Sequence, residues 1–295
     1  VSIPPLSCDP SSVLKGVRLM PRQLEGITKA WPHPGFALFW VMGAGKTLSS
    51  IALAGLRHKY GLIQRLLVIC PTSIKGVWAK EFDRYADFPH TLHVHESGRF
   101  ATHWMNGNPF PVLVVGIEAM SVKSGPEICK EFLSGGVSMT ILDESSRIKH
   151  HNTKRTESVL ELYSESQYRL ALTGTNITQG LQDLYPQMQF VEPKAIGEIS
   201  YYSFKNKYCV MGGYEGKKIV GYTKTDILLN KIKPHCDVIR KSDMKDLPLK
   251  SYQVRMVQAS REQKEICKGL KKHLKLITDD KEIKMKNVLE AMLRA

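Results

Sequence analysis

The 295 residues carry 42 Lys+Arg against 28 Asp+Glu, a formal net charge of +14, and 42% of them are hydrophobic. That suffices for one large core or two small ones. No window approaches the roughly 18 consecutive apolar residues of a membrane span, and no secretory pattern opens the chain, so membrane and secreted classes are not expected.

In chain order, short apolar runs alternate with helical patterns over the first 190 residues. Strands are predicted at Phe36–Trp40, Arg65–Cys70, Pro111–Val115, Ser138–Asp143 and Gln167–Leu172, with helices at Thr47–His58, Ile74–Tyr85, Pro126–Leu133 and Thr153–Tyr163. Several strands are near-continuous apolar runs, as in a parallel sheet covered on both faces. Strands alternating with helices at this spacing indicate a doubly wound α/β domain. After Val191 the texture turns basic: residues 191–295 hold 23 Lys+Arg and 13 Asp+Glu, a net +10. Tyr201–Tyr208 is aromatic and basic, Met211–Tyr214 reads as a turn, Lys217–Tyr222 as one arm of a hairpin, and Thr225–Ile232 and Arg261–Leu276 as Lys-rich helices. The excess fits a polyanionic partner through counterion release, and equally a solvated Lys-rich surface. The chain reaches Ala295 inside a helical pattern, which suggests a longer parent polypeptide.

Cysteines 8, 70, 129, 209, 236 and 267 stand far apart with no Cys-x-x-Cys pair. That argues against a zinc ribbon or a disulfide framework and for a reducing compartment. His235-Cys236 is the sole hint of a structural metal, which is not expected.

Three stretches carry chemistry. Met42-Gly43-Ala44-Gly45-Lys46-Thr47 lies between a predicted strand and a predicted helix. Glycines there let backbone N–H groups face phosphate oxygens, and the helix N-terminus adds partial positive charge. Lys46 would reach the β- and γ-phosphates, and Thr47 would ligate Mg²⁺. Trp40 stands where the full pattern asks for a small residue. Met139–Glu144 is an apolar strand ending in two acids. Asp143 would hold Mg²⁺ through water and Glu144 would orient or deprotonate the attacking water, although two acids at a strand end also fit ordinary turn polarity. Paired with the phosphate loop about 100 residues earlier, they make a metal-assisted phosphoryl-transfer pair. Leu170–Thr175 ends another strand, and Thr173 and Thr175 around Gly174 could sense the γ-phosphate or merely cap a turn.

These stretches, in this order, with Gln23 upstream and Cys70-Pro71-Thr72 between, resemble superfamily 2 helicases. The likeness is greater to the Swi/Snf-like branch, phage-encoded members included, over nearly the whole chain. The resemblance implies a RecA-like lobe with a central parallel sheet at 1–190, a small basic α/β protrusion and linker at 191–250, and the start of a second lobe at 251–295. It implies an ATP-dependent motor on DNA, duplex or forked, using ATP and Mg²⁺ inside the cell (cytoplasm or nucleoid, the host's if phage-encoded). It places Gln23 on the adenine edge, Thr72 and Lys75 on nucleic-acid backbone, and coupling between lobes on Ser146, Thr173, Gly174 and Thr175. Tyr208–Gly213, Arg240-Lys241 and Leu247-Pro248 resemble the linker. Val41, Ser146 and Asn176 depart from the family's Glu, His and Pro, and Ser146 would alter coupling. The partner lobe's arginine fingers, worth roughly 10³–10⁵ in rate, are absent, so the chain alone should hydrolyse ATP poorly. Two other readings stay open: a P-loop phosphotransferase, which leaves Gln23 and Thr173–Thr175 unexplained, and a nucleotide-gated DNA-binding module with little turnover.

Overall fold

The computed structural model describes residues 3–96, 107, 109–174, 180–213 and 218–243, with shorter stretches beyond residue 254. The chain divides into two units, Val1–Lys245 and Asp246–Ala295. The first is a seven-stranded parallel sheet in the order β3-β4-β2-β5-β6-β1-β9. Its strands are β1 (Gly35–Trp40), β2 (Arg65–Cys70), β3 (Thr91–Val94), β4 (Pro111–Gly116), β5 (Ser138–Asp143), β6 (Tyr168–Leu172) and β9 (Cys236–Ile239).

Alternation along each strand sends neighbouring side chains to opposite faces, and here both faces are core. Phe36, Leu38 and Trp40 of β1, and Leu66, Val68 and Cys70 of β2, pack with Ile27, Ile51, Trp78 and Phe82. Those four belong to α1 (Pro21–Ala30), α2 (Lys46–Lys59) and α3 (Lys75–Tyr85). Ala37 and Phe39 of β1, and Leu67 and Ile69 of β2, face the other way with Phe132, Val159, Phe190, Phe204 and Leu228. These come from α4 (Ser124–Ser134), α5 (Lys154–Glu161), α6 (Leu184–Val191), α8 (Tyr201–Tyr208) and α9 (Thr225–Ile232), with the short α7 (Pro193–Ile196) between α6 and α8. Burial on both faces explains the unbroken apolar runs in the sequence.

The five predicted strands and four predicted helices are present, with ends shifted by at most two residues. The edge strands β3 and β9 were not foreseen. β9 lies in the segment read as protrusion and linker, yet it pairs with β1 in parallel, Ala37 opposite Cys236 and Trp40 opposite Ile239. The expected hairpin forms from β7 (Cys209–Gly212) and β8 (Lys218–Tyr222), antiparallel with a bulge at Val210/Met211. In the second unit, β10 (Lys275–Thr278) and β11 (Lys281–Lys284) pair antiparallel. Residues 275 and 276, predicted helical, are therefore extended; the run KLIT has a β-branched end that a strand accommodates better. Leu247-Pro248 lies outside the described residues.

Candidate active site

In a parallel sheet every strand delivers its carboxyl end to the same edge, where ligands collect. β1, β2, β5 and β6 end respectively in the phosphate loop, the Thr72 turn, Asp143-Glu144 and Thr173-Gly174.

The phosphate loop bends at Gly43 (φ +85°) and Gly45 (φ +81°), left-handed conformations that favour glycine. A Cβ at Gly45 would lie 2.1 Å from the Gln23 amide nitrogen, whereas one at Gly43 would meet only open space. The loop leads into α2 at Lys46. The Lys46 ammonium donates to the Trp40 carbonyl at 2.9 Å. Burial lowers its pKa, against the pull of Glu144 and Asp143. Met42 at the loop tip is exposed, and Ala44 is buried beneath it. A glycine loop, a helix N-terminus and a half-buried ammonium facing two acids fit a magnesium nucleotide.

Asp143 is held at both oxygens: the Trp78 indole donates to Oδ2 at 2.9 Å and the Glu144 N–H donates to Oδ1 at 2.9 Å. Burial pushes its carboxyl above the ordinary value, and these hydrogen bonds and Lys46 work against that. Such a carboxylate is costly to keep charged until a cation reaches it. Glu144 adopts φ +50°, a strained conformation for a non-glycine residue and a common mark of a functional turn. Its Oε2 accepts the Thr173 hydroxyl at 3.4 Å. Gly174 lies against the loop, its Cβ position 3.5 Å from the Met42 nitrogen and the Trp40 oxygen. Lys46, Asp143, Glu144, Thr173 and Gly174 therefore share one place; Thr175 and Asn176 lie outside the described residues.

Other expected residues sit differently. Gln23 is almost wholly buried. Its Oε1 accepts the Met20 N–H at 2.9 Å and its Nε2 donates to the Ala44 carbonyl at 3.0 Å. Its amide thus closes the start of α1 and braces the phosphate loop. In the Ser145–Ile148 turn the Ser145 hydroxyl donates to Gln187 at 2.8 Å, and the Ser146 carbonyl accepts the Lys149 N–H. Lys75 is nine-tenths buried, and its ammonium donates to the His95 carbonyl at 2.5 Å. The ammonium expected on nucleic-acid backbone is turned inward here. The Thr72 hydroxyl and N–H both donate to Glu118 Oε2, at 2.6 and 3.0 Å. Arg147 donates to the other oxygen of Glu118 at 3.0 Å. Burial disfavours the Glu118 charge, but the Thr72 hydrogen bonds and Arg147 prevail and hold its pKa below the ordinary value.

Sequence reasoning missed three supports. Trp78 fixes Asp143 from the helix that follows the Thr72 turn. Asp237 in β9, 3% exposed, accepts the Trp40 indole at 2.8 Å and pairs with Arg22 and Lys29 of α1. Gly26 leaves the space that Trp40 fills, since a Cβ there would come within 2.2 Å of the indole. Together they explain how a large side chain can replace the small residue of the usual phosphate-loop pattern. Only Trp78, four residues past the Ile74 turn, had a local signal: an aromatic on the apolar stripe of α3, which it shares with Phe82.

Comparison with known proteins agrees with this geometry. The model of the SNF2-related domain matches residues 27–295. The chromatin structure-remodeling complex subunit snf21 of Schizosaccharomyces pombe is 29% identical over 288 residues, 91% of this chain and 23% of that protein. The SWI/SNF chromatin-remodeling complex subunit snf22 of the same yeast is 31% identical over 254 residues, 81% of this chain and 14% of the relative. Among solved structures, the Sulfolobus solfataricus SWI2/SNF2 ATPase core in complex with dsDNA superposes with a TM-score of 0.63 at 25% identity, covering 83% of this chain and 49% of that core. The chain thus spans about a quarter or less of these yeast relatives and about half of the archaeal core. With the family model matching nearly all of its length, the phosphate loop and acidic pair at one sheet edge belong to a RecA-like lobe, and the chain is a member of the SNF2-related domain family.

Proposed function

We propose that this chain is the ATP-binding first lobe of an ATP-dependent DNA translocase, which hydrolyses ATP together with a second lobe. The observation that carries this is the meeting of Lys46, the Asp143-Glu144 pair and Thr173 at one sheet edge. The likeness to an ATPase core solved with dsDNA supports duplex DNA as the track. The segment after β9 would serve as the linker and the second unit as the entry to the partner lobe.

Mg·ATP, when bound, supplies the γ-phosphoryl group and a divalent charge. The loop N–H groups and Lys46 would bind the phosphates, and Thr47 and Asp143 would hold the cation. Lys46 leaves the Trp40 carbonyl for a stronger, charge-assisted partner. Glu144, aligned by the Thr173 hydroxyl, accepts the proton of the attacking water at a carboxylate oxygen. Trp78 keeps Asp143 pointed while its cation is absent. The partner lobe completes the charge stabilisation, so the isolated chain turns over slowly. We place the protein inside the cell, where its DNA track would lie. No helix among the described residues is long and apolar enough to cross a membrane.

The test is nucleotide binding and turnover. Lys46→Ala should weaken Mg·ATP binding strongly in titration calorimetry, with the melting temperature kept. Unchanged affinity in the folded variant would remove the phosphate-loop assignment. In the complete protein, duplex DNA should stimulate hydrolysis; turnover indifferent to DNA would remove the motor reading.

A further inference from the structure

The donors of the Thr72 turn are already satisfied by an anion of the chain itself. Thr72 follows β2, Glu118 follows β4 and Arg147 follows β5, so neighbouring strands bring all three to one edge. One Glu118 oxygen takes the Thr72 N–H and hydroxyl, and the other takes the Arg147 guanidinium. Gly116, at the end of β4, makes room: a Cβ there would lie 2.3 Å from the Thr72 hydroxyl oxygen. A backbone N–H, a hydroxyl and a guanidinium meeting on two oxygens are the donor set by which proteins hold a nucleic-acid phosphate.

Two observations mark Glu118 as a replaceable occupant. The side chains of Glu118 and Arg147 are 43% and 45% exposed, and ion pairs so exposed hold their partners only weakly. Lys75, which the sequence offers as the cation of this turn, spends its ammonium on an internal carbonyl. Arg147 is the cation that reaches the notch.

We infer that Glu118 is a built-in competitor for a phosphate-binding notch formed by Thr72 and Arg147, and that a DNA backbone phosphate displaces it. This rests on the DNA-binding reading above and adds to it the cation and the internal anion that the phosphate must dislodge. On displacement Arg147 exchanges one carboxylate for one phosphate oxygen, while Glu118 swings into solvent and is repelled by the strand. Affinity is therefore set below what the donors alone would give. Contact at this turn becomes a two-state event, with either Glu118 or phosphate in place.

The experiment is fluorescence anisotropy of a labelled DNA duplex titrated with the 295-residue chain at several salt concentrations. The variants are Glu118→Gln, Arg147→Gln and the pair together, with melting temperatures measured alongside. Glu118→Gln keeps the size and an acceptor for Thr72 but removes the charge. It should tighten binding by about two- to five-fold, as expected for losing an exposed ionic competitor. Arg147→Gln should weaken binding and lower the salt slope by about one, and the double variant should lose most of the Glu118→Gln gain. Unchanged or weaker binding by a folded Glu118→Gln overturns the inference. So does Arg147→Gln with wild-type affinity and slope, a comparison that stands even if the Glu118 variant melts early. If the wild-type chain ignores duplex DNA, the DNA-binding reading falls and the notch with it. Wild-type binding with flat responses from both variants removes the notch alone.

Discussion

The two edges of the central sheet use charge in opposite ways. At the amino ends of the strands, Arg57, Arg65 and Arg169 are almost fully buried. Each is spent on backbone carbonyls and an aromatic ring. Arg57 donates to His33 and lies 4.3 Å over Tyr168. Arg65 donates to Phe132 and Gly135, and Arg169 donates to Ser166 and lies 4.1 Å over Tyr163. Their partners are backbone carbonyls and rings that the fold itself fixes in place. At the carboxyl ends, Lys46 rests on a single carbonyl, Asp143 waits on an indole and its neighbour's N–H, and Glu118 bridges exposed donors. Those partners are weaker than the ligands that such groups can take. Charge at one edge is settled, and at the other it is held ready.

The largest expected effect separates the edges outright. Glu144→Gln in the complete protein should retain ATP binding and melting temperature while turnover falls by about 10²–10⁴, the usual contribution of a positioned base. Near-normal turnover would show that Glu144 does not position the water. Arg57→Met should do the reverse, lowering unfolding free energy in urea by about 3 kcal/mol, since carbonyls lose their donor in a buried site, with nucleotide affinity untouched. A stabilised variant would mean that desolvation of the guanidinium outweighs its bonds. Trp78→Phe removes one donor from a carboxylate, an interaction worth about 1.5–3 kcal/mol. The Mg²⁺ concentration needed for half-maximal ATP binding should shift, and metal-free nucleotide affinity should not. A change in both would assign Trp78 to general packing. Smallest is Lys75→Met: about 1 kcal/mol of stability and an unaltered salt slope on DNA, because the ammonium serves His95. A slope reduced by about one would return Lys75 to the track.

What the sequence discloses divides along the same lines. Strands β1, β2, β4, β5 and β6 were legible because burial on both faces leaves continuous apolar runs that no other element accounts for. β3 was not, since TLHV is a half-buried edge with a polar residue in its midst, and β9 was not, since Asp237 sits inside a four-residue strand. The reason Asp237 can be buried lies in Arg22 and Lys29, more than 200 residues earlier, and no local pattern contains that. The candidate site was legible where glycine spacing and adjacent acids mark it, at Gly43–Thr47 and Asp143-Glu144. The present partners of Gln23 and Lys75 were not legible, for the opposite reason. Residue type announced what each could bind, whereas the acceptors that hold them, Ala44 and His95, are backbone carbonyls that any residue supplies.

The pairing of β9 with β1 bears on where this protein can be cut. A polypeptide ended near residue 190 would keep every chemical motif of the nucleotide site yet lose the strand that covers the outer edge of β1. It would also lose the carboxylate that anchors the Trp40 indole, Arg22 and Lys29. A bare apolar strand beside the phosphate loop is a template for pairing with another copy. Such a fragment should precipitate or self-associate on expression, whereas one carried through Asp243 keeps its margin sealed.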